Sequence, residues 1–343
     1  MPTNLHSSET MVAEFSILNL LASIGEAEPF TVTEVPGGFN NRVFRLDTGE
    51  TRYLLKEYFR NGKDSRDRLG TEYGFCKFAS TLGVDGVAKP YACDTNEGIG
   101  LYEFIEGVDC CSEDVTLQRV LEAANFYKRL NELRGYPAAK CLAKASEACF
   151  SIKEHTECVS KRVMRLASIP TDDTLNRRAL HFVKESLVKR LREIKVAYKK
   201  NKFFERLGTE EYSLSPSDFG FHNMLIDSEN DLRFVDFEYA GWDDPAKMIT
   251  DFFCQPRISV PFEWMDDFAG EAIGGQPWAD TAMRRVKILY PLYRVKWCCI
   301  IMNEFLPEGN RRRDFSANYE VSKTLKLAKL EAAENYFTKT PEL

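Results

Sequence analysis

The spacing of hydrophobic residues changes along the chain, and its first part predicts a small sheet. Residues 9–24 carry apolar side chains three and four positions apart, which predicts an amphipathic helix. Three short segments rich in β-branched or aromatic residues follow, separated by the turn signals PGG and DTGE: FTVTEV, NRVFRLD and TRYLLKEY. A helical segment, DRLGTEYGFCKFASTLG, and one more strand, GIGLYEFIEG, come next. We therefore expect an antiparallel meander in this part of the chain.

From about residue 112 onward the spacing is mainly that of helices. Apolar residues recur three and four positions apart through much of 112–206, and helices resume after residue 238. Between them, 213–238 contains two short strand-like pieces joined by a turn rich in Asp, Ser and Asn. A length of 343 residues favours one large bilobal domain or two smaller ones. The order of elements predicts a sheet-containing part followed by a larger helical part.

Composition argues against several classes of protein. With 44% hydrophobic and 29% charged residues and a net charge of −6, the chain has the profile of a soluble globular protein without an overall bias toward nucleic acid. It has no run of about 18 apolar residues, and its N-terminal segment is not a positively charged stretch followed by an apolar one, as in a signal peptide. We therefore expect no membrane association and a cytoplasmic location. Ten cysteines without C-x-x-C spacing and four scattered histidines indicate reduced, mostly buried thiols rather than a zinc site.

The charge is unevenly distributed along the chain. Residues 140–206 contain 17 Lys and Arg against 8 Asp and Glu, so this segment is basic and the remainder is acidic. Such an asymmetry would attract an anionic substrate or partner. A solvated face on long helices would give the same pattern, and the sequence leaves both interpretations open.

Three polar residues in and beside the turn of 213–238 are candidates for chemistry. Asp218 precedes Asn223 by five residues, and Asp236 follows Asp218 by 18 residues at the end of the apolar segment LRFV. Phosphoryl transfer needs a carboxylate that positions the attacking hydroxyl and accepts its proton, and oxygen ligands that hold Mg²⁺ against the phosphates. Asp and Asn also favour turns and caps, so a purely structural role is the alternative.

Two motifs in this segment resemble those of a known family. SDFGFHN is similar to the D-x-x-x-x-N catalytic loop of kinases, and VDFEYAGWDDP to the D-x-D/E metal motif of aminoglycoside phosphotransferases. The chain thus resembles the aminoglycoside phosphotransferase family, which is similar to choline, homoserine and methylthioribose kinases. The resemblance implies an α+β, protein-kinase-like fold, with a small antiparallel-sheet N-lobe over 1–106 and a larger, mainly helical C-lobe over 107–343.

The same resemblance assigns roles to individual residues of these motifs. Asp218 would be the catalytic base, and Asn223 and Asp236 would be the Mg²⁺ ligands. Glu238 would be a second acidic group near the metal or its waters, with a structural hydrogen-bonding role as its alternative.

The N-terminal half contains residues that the resemblance assigns to ATP. Gly37 and Gly38 in PGGFNNRVF resemble the family's nucleotide loop, with Asn41 at the matching asparagine, although a plain hairpin turn would look alike. Lys56 lies inside the apolar strand YLLKEY, where an ammonium needs a partner. In the kinase arrangement that partner is ATP, and Glu72 on the next helix orients the lysine toward the α- and β-phosphates. An exposed lysine and an exposed glutamate are the alternative.

The segment LYEFIEG resembles the hinge between the two lobes of a kinase. By that resemblance the Glu103 carbonyl and the Ile105 amide would bind the adenine edge. Backbone groups would make these contacts, and every residue has them, so the side chains do not distinguish a hinge from a simple edge strand. The edge strand is the alternative.

The resemblance has two departures. The family often has His-Gly directly before the catalytic aspartate, and this chain has Pro216 and Ser217 there. This departure puts the geometry of the loop in question more than proton transfer. Asp251 lies further from Pro245 than in many relatives, so we assign Asp251 no catalytic part.

These observations favour an ATP-dependent phosphotransferase acting on a hydroxyl group of a small molecule, such as a sugar, polyol, amino alcohol or aminoglycoside. A pseudokinase that binds ATP without transfer is the alternative, supported by the Pro216 and Ser217 departure. A protein kinase is disfavoured because DFE replaces DFG and no APE segment occurs.

For the acceptor, an acidic run near the lobe junction suits a cation, whereas the basic 140–206 segment suits a neutral or anionic compound. The acidic run comprises Glu103, Glu106, Asp109, Glu113 and Asp114. We favour a saccharide or polyol hydroxyl.

Overall fold

The N-terminal part of the molecule is built on an antiparallel sheet. The structure is a computed structural model that describes residues 14–26, 29–35, 41–49, 51–60, 66–200, 206–306 and 323–339. The strands of this sheet are β1 (Phe30–Glu34), β2 (Asn41–Thr48), β3 (Thr51–Tyr58), β4 (Pro90–Asp94) and β5 (Ile99–Glu103). Their spatial order is β1-β2-β3-β5-β4, and every neighbouring pair is antiparallel. Helices α1 (Glu14–Ser23) and α2 (Arg68–Thr81) accompany the sheet.

Register in this sheet places Lys56 of β3 directly opposite Gly100 of β5. Residues opposite each other in an antiparallel pair share a face of the sheet. A Cβ atom on Gly100 would lie 2.7 Å from the ring of Tyr102, so only glycine leaves room for that ring beside the lysine.

The two faces of the sheet contribute to different hydrophobic cores. Helix α1 packs against one face, and the small core that results comprises Ile17, Leu20, Leu21, Phe44, Leu46, Tyr53, Leu55, Ile99 and Leu101. Helix α2 instead contributes its apolar residues to the large core of the helical part. The ring of Phe75 on α2 stacks on Phe237 with centroids 4.8 Å apart. This contact fixes α2 next to Asp236, the residue that precedes Phe237.

The C-terminal part is mainly helical and contains short strands. The helices are α3 (Leu117–Glu132), α4 (Ile152–Leu166), α5 (Thr174–Phe182), α6 (Lys189–Lys200), α7 (Pro245–Cys254), α8 (Met265–Ile273), α9 (Ala279–Ile301) and α10 (Lys323–Thr338). The strands are β6 (Val108–Asp109), β7 (Ser213–Ser215), β8 (Met224–Ile226), β9 (Leu232–Phe234) and β10 (Gly241–Asp243). Strand β8 pairs with β6 and β9, and β7 pairs with β10.

The polar residues that the sequence singled out lie in the segments next to strands β7, β8 and β9. The loop between β7 and β8 contains Asp218, and Asp236 follows β9 by two residues. The ring of Phe234 on β9 stacks on Phe126 of α3 with centroids 4.0 Å apart, which anchors this hairpin on the helical core. The loops that carry these polar residues are therefore held in place by short strands that pack against the helical core.

The predicted α+β architecture, with a small antiparallel sheet and a larger helical part, is confirmed. Strand β4 was not predicted from the sequence. The N-terminal helix begins at Glu14, and the part of its prediction before that residue lies outside the described residues. Within the described ranges, no helix has the length and apolar character that crossing a bilayer requires.

Candidate active site

Lys56 meets two carboxylates that are distant from it in sequence. Its Nζ donates to Glu72 Oε2 on α2 over 2.8 Å and to Asp236 Oδ1 over 2.6 Å. The lysine is only 6% exposed. Burial would lower the pKa of Lys56, but Asp236, Glu72 and Glu238 raise it above its ordinary value. The structure thus brings three of the predicted site residues into one charged cluster.

A tyrosine pair holds the carboxylate of Glu72 from its other side. Tyr58 donates its hydroxyl proton to Glu72 Oε2 over 2.8 Å, and the hydroxyl oxygens of Tyr58 and Tyr102 are 2.7 Å apart. Since Tyr58 has a single proton, Tyr102 is the donor in the second bond. Burial raises the pKa of Glu72, and the charge of Lys56 opposes that shift. Sequence reasoning missed both tyrosines, because an aromatic residue in a strand ordinarily indicates only packing.

Asp218 is oriented by two residues of its own loop. Asn223 Nδ2 donates to the backbone carbonyl of Asp218 over 2.9 Å, and His222 Nε2 lies 3.2 Å from Asp218 Oδ1. Burial would raise the pKa of Asp218, but His222, Lys296 and Lys247 together lower it below its ordinary value. The lowered pKa of Asp218 favours its ionised form, which accepts hydrogen bonds. His222 was not singled out from the sequence, although it lies within the motif SDFGFHN.

Two residues of this region have a left-handed backbone. Ser217 has φ +70° and Asp236 has φ +67°. This conformation crowds Cβ against the neighbouring carbonyl, and Asp tolerates it better than most residues. Ser217 is the residue found in place of the family's glycine, so the departure in sequence falls on a position where glycine has a conformational advantage. The backbone amide of Ser217 donates to Ser215 Oγ over 3.1 Å, which supports the turn.

Asn41 and Glu238 bind each other. Asn41 Nδ2 donates to Glu238 Oε2 over 2.8 Å, and Arg68 Nε lies 3.6 Å from the same oxygen. Glu238 is 2% exposed. The carboxylate is thus enclosed between the start of β2 and the start of α2. This arrangement gives Glu238 a structural hydrogen bond, and its role near the metal stays a prediction.

Two of the remaining predicted nucleotide contacts lie at the end of β5 or just after it. Ile105 lies in the connection between β5 and β6, and its backbone amide has no hydrogen-bond partner among the described residues. Glu103 ends β5, and its own backbone amide donates to the Lys89 carbonyl over 2.8 Å. Gly37 and Gly38 lie outside the described residues.

A buried network of paired charges lies behind Asp218. Lys247 Nζ is 2.5 Å from Asp243 Oδ2, and Lys296 Nζ is 2.7 Å from Asp251 Oδ2. Trp297 also donates its indole proton to Asp251 Oδ1 over 2.9 Å. Asp251, for which we expected no catalytic part, is an ion-pair partner of α9.

The sequence of this chain matches a family over most of its length. Residues 31–252 match the model of the phosphotransferase enzyme family. The chain belongs to this family. No curated protein sequence gives a significant match to this phosphotransferase.

Solved structures with the same fold include kinases of small molecules. Choline kinase LicA from Streptococcus pneumoniae has a TM-score of 0.59 and 16% identity, covering 95% of this phosphotransferase and 99% of its own chain. The Plasmodium vivax ethanolamine kinase has a TM-score of 0.55 and 15% identity, covering 92% and 83%. Spectinomycin phosphotransferase, in complex with ADP and spectinomycin, has a TM-score of 0.55 and 13% identity, covering 96% and 94%. These similarities confirm the kinase-like fold, and together with the family they support a small-molecule phosphotransferase.

Proposed function

We propose that the protein transfers the γ-phosphoryl group of ATP to a hydroxyl group of a small molecule. The observation that carries the proposal is the meeting of Lys56, Glu72 and Asp236, although Asp236 is 180 residues from Lys56 in sequence. Phosphoryl transfer depends on positioned positive charge for the phosphates and a carboxylate for the metal, and this cluster supplies both.

The N-terminal sheet would bind the nucleotide. Lys56 is the cation that would contact the phosphates, and Glu72 with Tyr58 behind it holds the ammonium in place. The Ile105 amide and the Glu103 carbonyl would bind the adenine edge. The five-stranded sheet ends at Glu103 while β6 pairs in another sheet, which supports a boundary of the two lobes at residues 106 and 107.

The donor atoms available near Asp236 fit Mg²⁺. Asn223 uses its amide nitrogen on Asp218, so its oxygen Oδ1 remains for a ligand, and no described residue bonds Asp236 Oδ2. Mg²⁺ prefers such oxygens and is commonly held by one or two carboxylates together with substrate phosphates and waters. When bound, Mg²⁺ would neutralise charge on the phosphate oxygens.

Asp218 would act on the acceptor. Its Oδ1 is engaged by His222, and no described residue bonds Oδ2, which can therefore accept a hydrogen bond from a hydroxyl group. The acceptor oxygen attacks the γ-phosphorus, the bond from that phosphorus to the β,γ-bridging oxygen breaks, and ADP leaves. The hydroxyl proton passes to Asp218.

We propose a neutral acceptor, such as a saccharide or polyol, over a cationic one. The acidic run near the lobe junction suggested an attraction for a cation, but several of its charges are neutralised within the protein. The ion pairs of the acidic run include Glu103 with Arg233, Glu106 with Arg52 and Asp114 with Arg119. The basic 140–206 segment keeps its excess of positive charge, because of Arg162, Arg178 and Arg206 only Arg178 bonds a carboxylate outside it, Glu334, whereas Glu147 and Glu154, the partners of the other two, belong to the segment itself.

A screen of acceptors tests the proposal. ADP formation from Mg²⁺-ATP is measured with neutral sugars, polyols, sugar phosphates, amino alcohols and aminoglycosides, with Asp218→Asn as the matched control. We expect ADP release that depends on a neutral polyhydroxyl compound and is lost in the control. Nucleotide binding by calorimetry without ADP release from any acceptor would instead indicate a nucleotide-binding module. Absence of Mg²⁺-ATP binding at millimolar nucleotide would exclude both.

A further inference from the structure

His222 is a buried residue with one hydrogen-bond partner. Its side chain is 7% exposed, whereas that of Asp218 is 38% exposed. Nε2 faces Asp218 Oδ1 at 3.2 Å, and the other ring nitrogen, Nδ1, is buried without a partner among the described residues. An imidazole enclosed in this way is not a surface residue that happens to lie beside a carboxylate.

The direction of this hydrogen bond follows from the chemistry of the two groups. A carboxylate only accepts, so Nε2 carries the proton in either charge state of the ring. In the neutral ring Nδ1 is then an acceptor, and no described residue donates to it. The local backbone makes room for the ring, because a Cβ atom on Gly220 would lie 2.9 Å from Nδ1.

The carboxylate of Asp218 has one hydrogen-bond partner among the described residues that can set its orientation. The charged groups of packed elements that act on it are Lys247 on α7 and Lys296 on α9, and both lower its pKa. Each of these lysines is paired with another carboxylate, Lys247 with Asp243 and Lys296 with Asp251. Asn223 fixes only the backbone carbonyl of Asp218. Among the described residues, His222 is the hydrogen-bond donor to the carboxylate itself.

We propose that His222 is a positioning residue that holds Oδ1 of Asp218, so that Oδ2 faces the acceptor hydroxyl. This role rests on the proposed function, because it requires Asp218 to be the base. His222 does not touch the acceptor or the nucleotide. It acts through the orientation of the carboxylate.

Three substitutions at His222 separate positioning from packing. His222→Leu removes the donor, and we expect kcat to fall about tenfold to a hundredfold with the KM for ATP unchanged, as for other residues that orient a catalytic group. Glutamine places its amide nitrogen near the position of Nε2, and asparagine places its own near Nδ1. His222→Gln should therefore restore most of kcat, and His222→Asn should not. Equal rates for the Gln and Asn variants, or unchanged kcat in the Leu variant, would overturn the proposal.

A double substitution identifies the residue through which His222 acts. In an Asp218→Asn background, His222→Leu should cause no further loss of kcat, because the carboxylate that it orients is already gone. Losses that multiply would show an independent role and overturn the proposal. Melting temperatures of all variants are measured in parallel. If the Leu variant does not fold, the comparison of kcat between His222→Gln and His222→Asn tests the proposal.

A readout that needs no turnover separates this inference from the proposed function. If the unmodified protein forms no ADP with any acceptor, the proposed function fails and the His222 contact is judged by ¹⁵N NMR of the imidazole. We expect a proton on Nε2 whose signal moves in Asp218→Asn. A proton on Nδ1 alone, or an Nε2 signal that is unchanged in Asp218→Asn, would overturn the inference.

Discussion

Asn41 donates a hydrogen bond to Glu238 over 2.8 Å, although 197 residues separate them. Both are buried, and Arg68 adds its positive charge to the same carboxylate oxygen. The bond joins the first residue of β2 to the segment that follows Asp236. It therefore helps to hold the N-terminal sheet against the loop that carries the candidate metal ligand.

Glu238→Gln tests whether this carboxylate braces the structure or binds metal. The amide keeps the shape but removes the charge that Arg68 requires, so we expect unfolding free energy to fall by about 1–3 kcal/mol, the usual cost of an unsatisfied buried group. Affinity for Mg²⁺ in the presence of nucleotide should change little. Urea unfolding and a Mg²⁺ titration measure the two effects. A selective loss of Mg²⁺ affinity at unchanged stability would instead assign Glu238 to the metal.

Lys56→Ala should affect both nucleotide binding and stability. Glu72 would lose its buried cation, and breaking such a pair from one side costs about 3–5 kcal/mol. The matched control is Lys56→Met combined with Glu72→Gln, which replaces the pair by neutral groups of similar size. The double variant should recover much of the stability but bind no ATP, as measured by chemical unfolding and calorimetry. ATP binding by the double variant would contradict the assignment of Lys56 to the phosphates.

Asp218→Asn and Asp236→Asn should separate the base from the metal ligand. Asp218→Asn should leave Mg²⁺-ATP affinity nearly unchanged while turnover falls by about 10²–10⁴-fold, the usual contribution of a positioned general base. Asp236→Asn should weaken Mg²⁺-nucleotide binding as well, because it removes charge from the candidate ligand. Calorimetry and acceptor-dependent ADP formation are measured for both variants. Unmodified turnover in Asp218→Asn would refute the catalytic-loop assignment even if ATP bound.

Ser217→Gly should stabilise the protein. Ser217 has φ +70°, and a left-handed conformation costs a non-glycine residue about 1–2 kcal/mol, part of which glycine's larger unfolded-state entropy offsets. We expect a net gain of about 0.5–1 kcal/mol in unfolding free energy, measured in urea. Asn230→Gly is the matched control, since Asn230 has φ +69° in a turn and asparagine tolerates that region. Ser217→Gly with no gain, or with less than the control, would contradict a strained loop.

The sequence by itself determined the features that depend on neighbouring residues. Strands β2 and β3 and helix α2 could be predicted from the periodicity of apolar residues. Buried residues recur at every second position of a strand and at every third or fourth position of a helix. Lys56 was conspicuous because a charge in an apolar strand needs a partner. The spacing of Asp218 and Asn223 was legible because one short loop holds both. Strand β4 escaped prediction because it begins with Pro90 and all of its residues are only partly buried.

Only the tertiary structure decided which distant groups meet. The contact of Lys56 with Asp236 and the bond of Asn41 to Glu238 depend on how α2 packs on Phe237, and no local pattern encodes that packing. The sequence predicts a nucleotide contact for Asn41 and a metal contact for Glu238, and the fold shows in addition that the two residues bind each other. The same is true of His222 over a short distance in sequence. The sequence places it in the same loop as Asp218, but only the conformation of the backbone brings its ring to the Asp218 carboxylate. Side-chain identity and local periodicity are properties of the chain, whereas a buried hydrogen bond or ion pair exists only once packing has excluded water and brought its two atoms together.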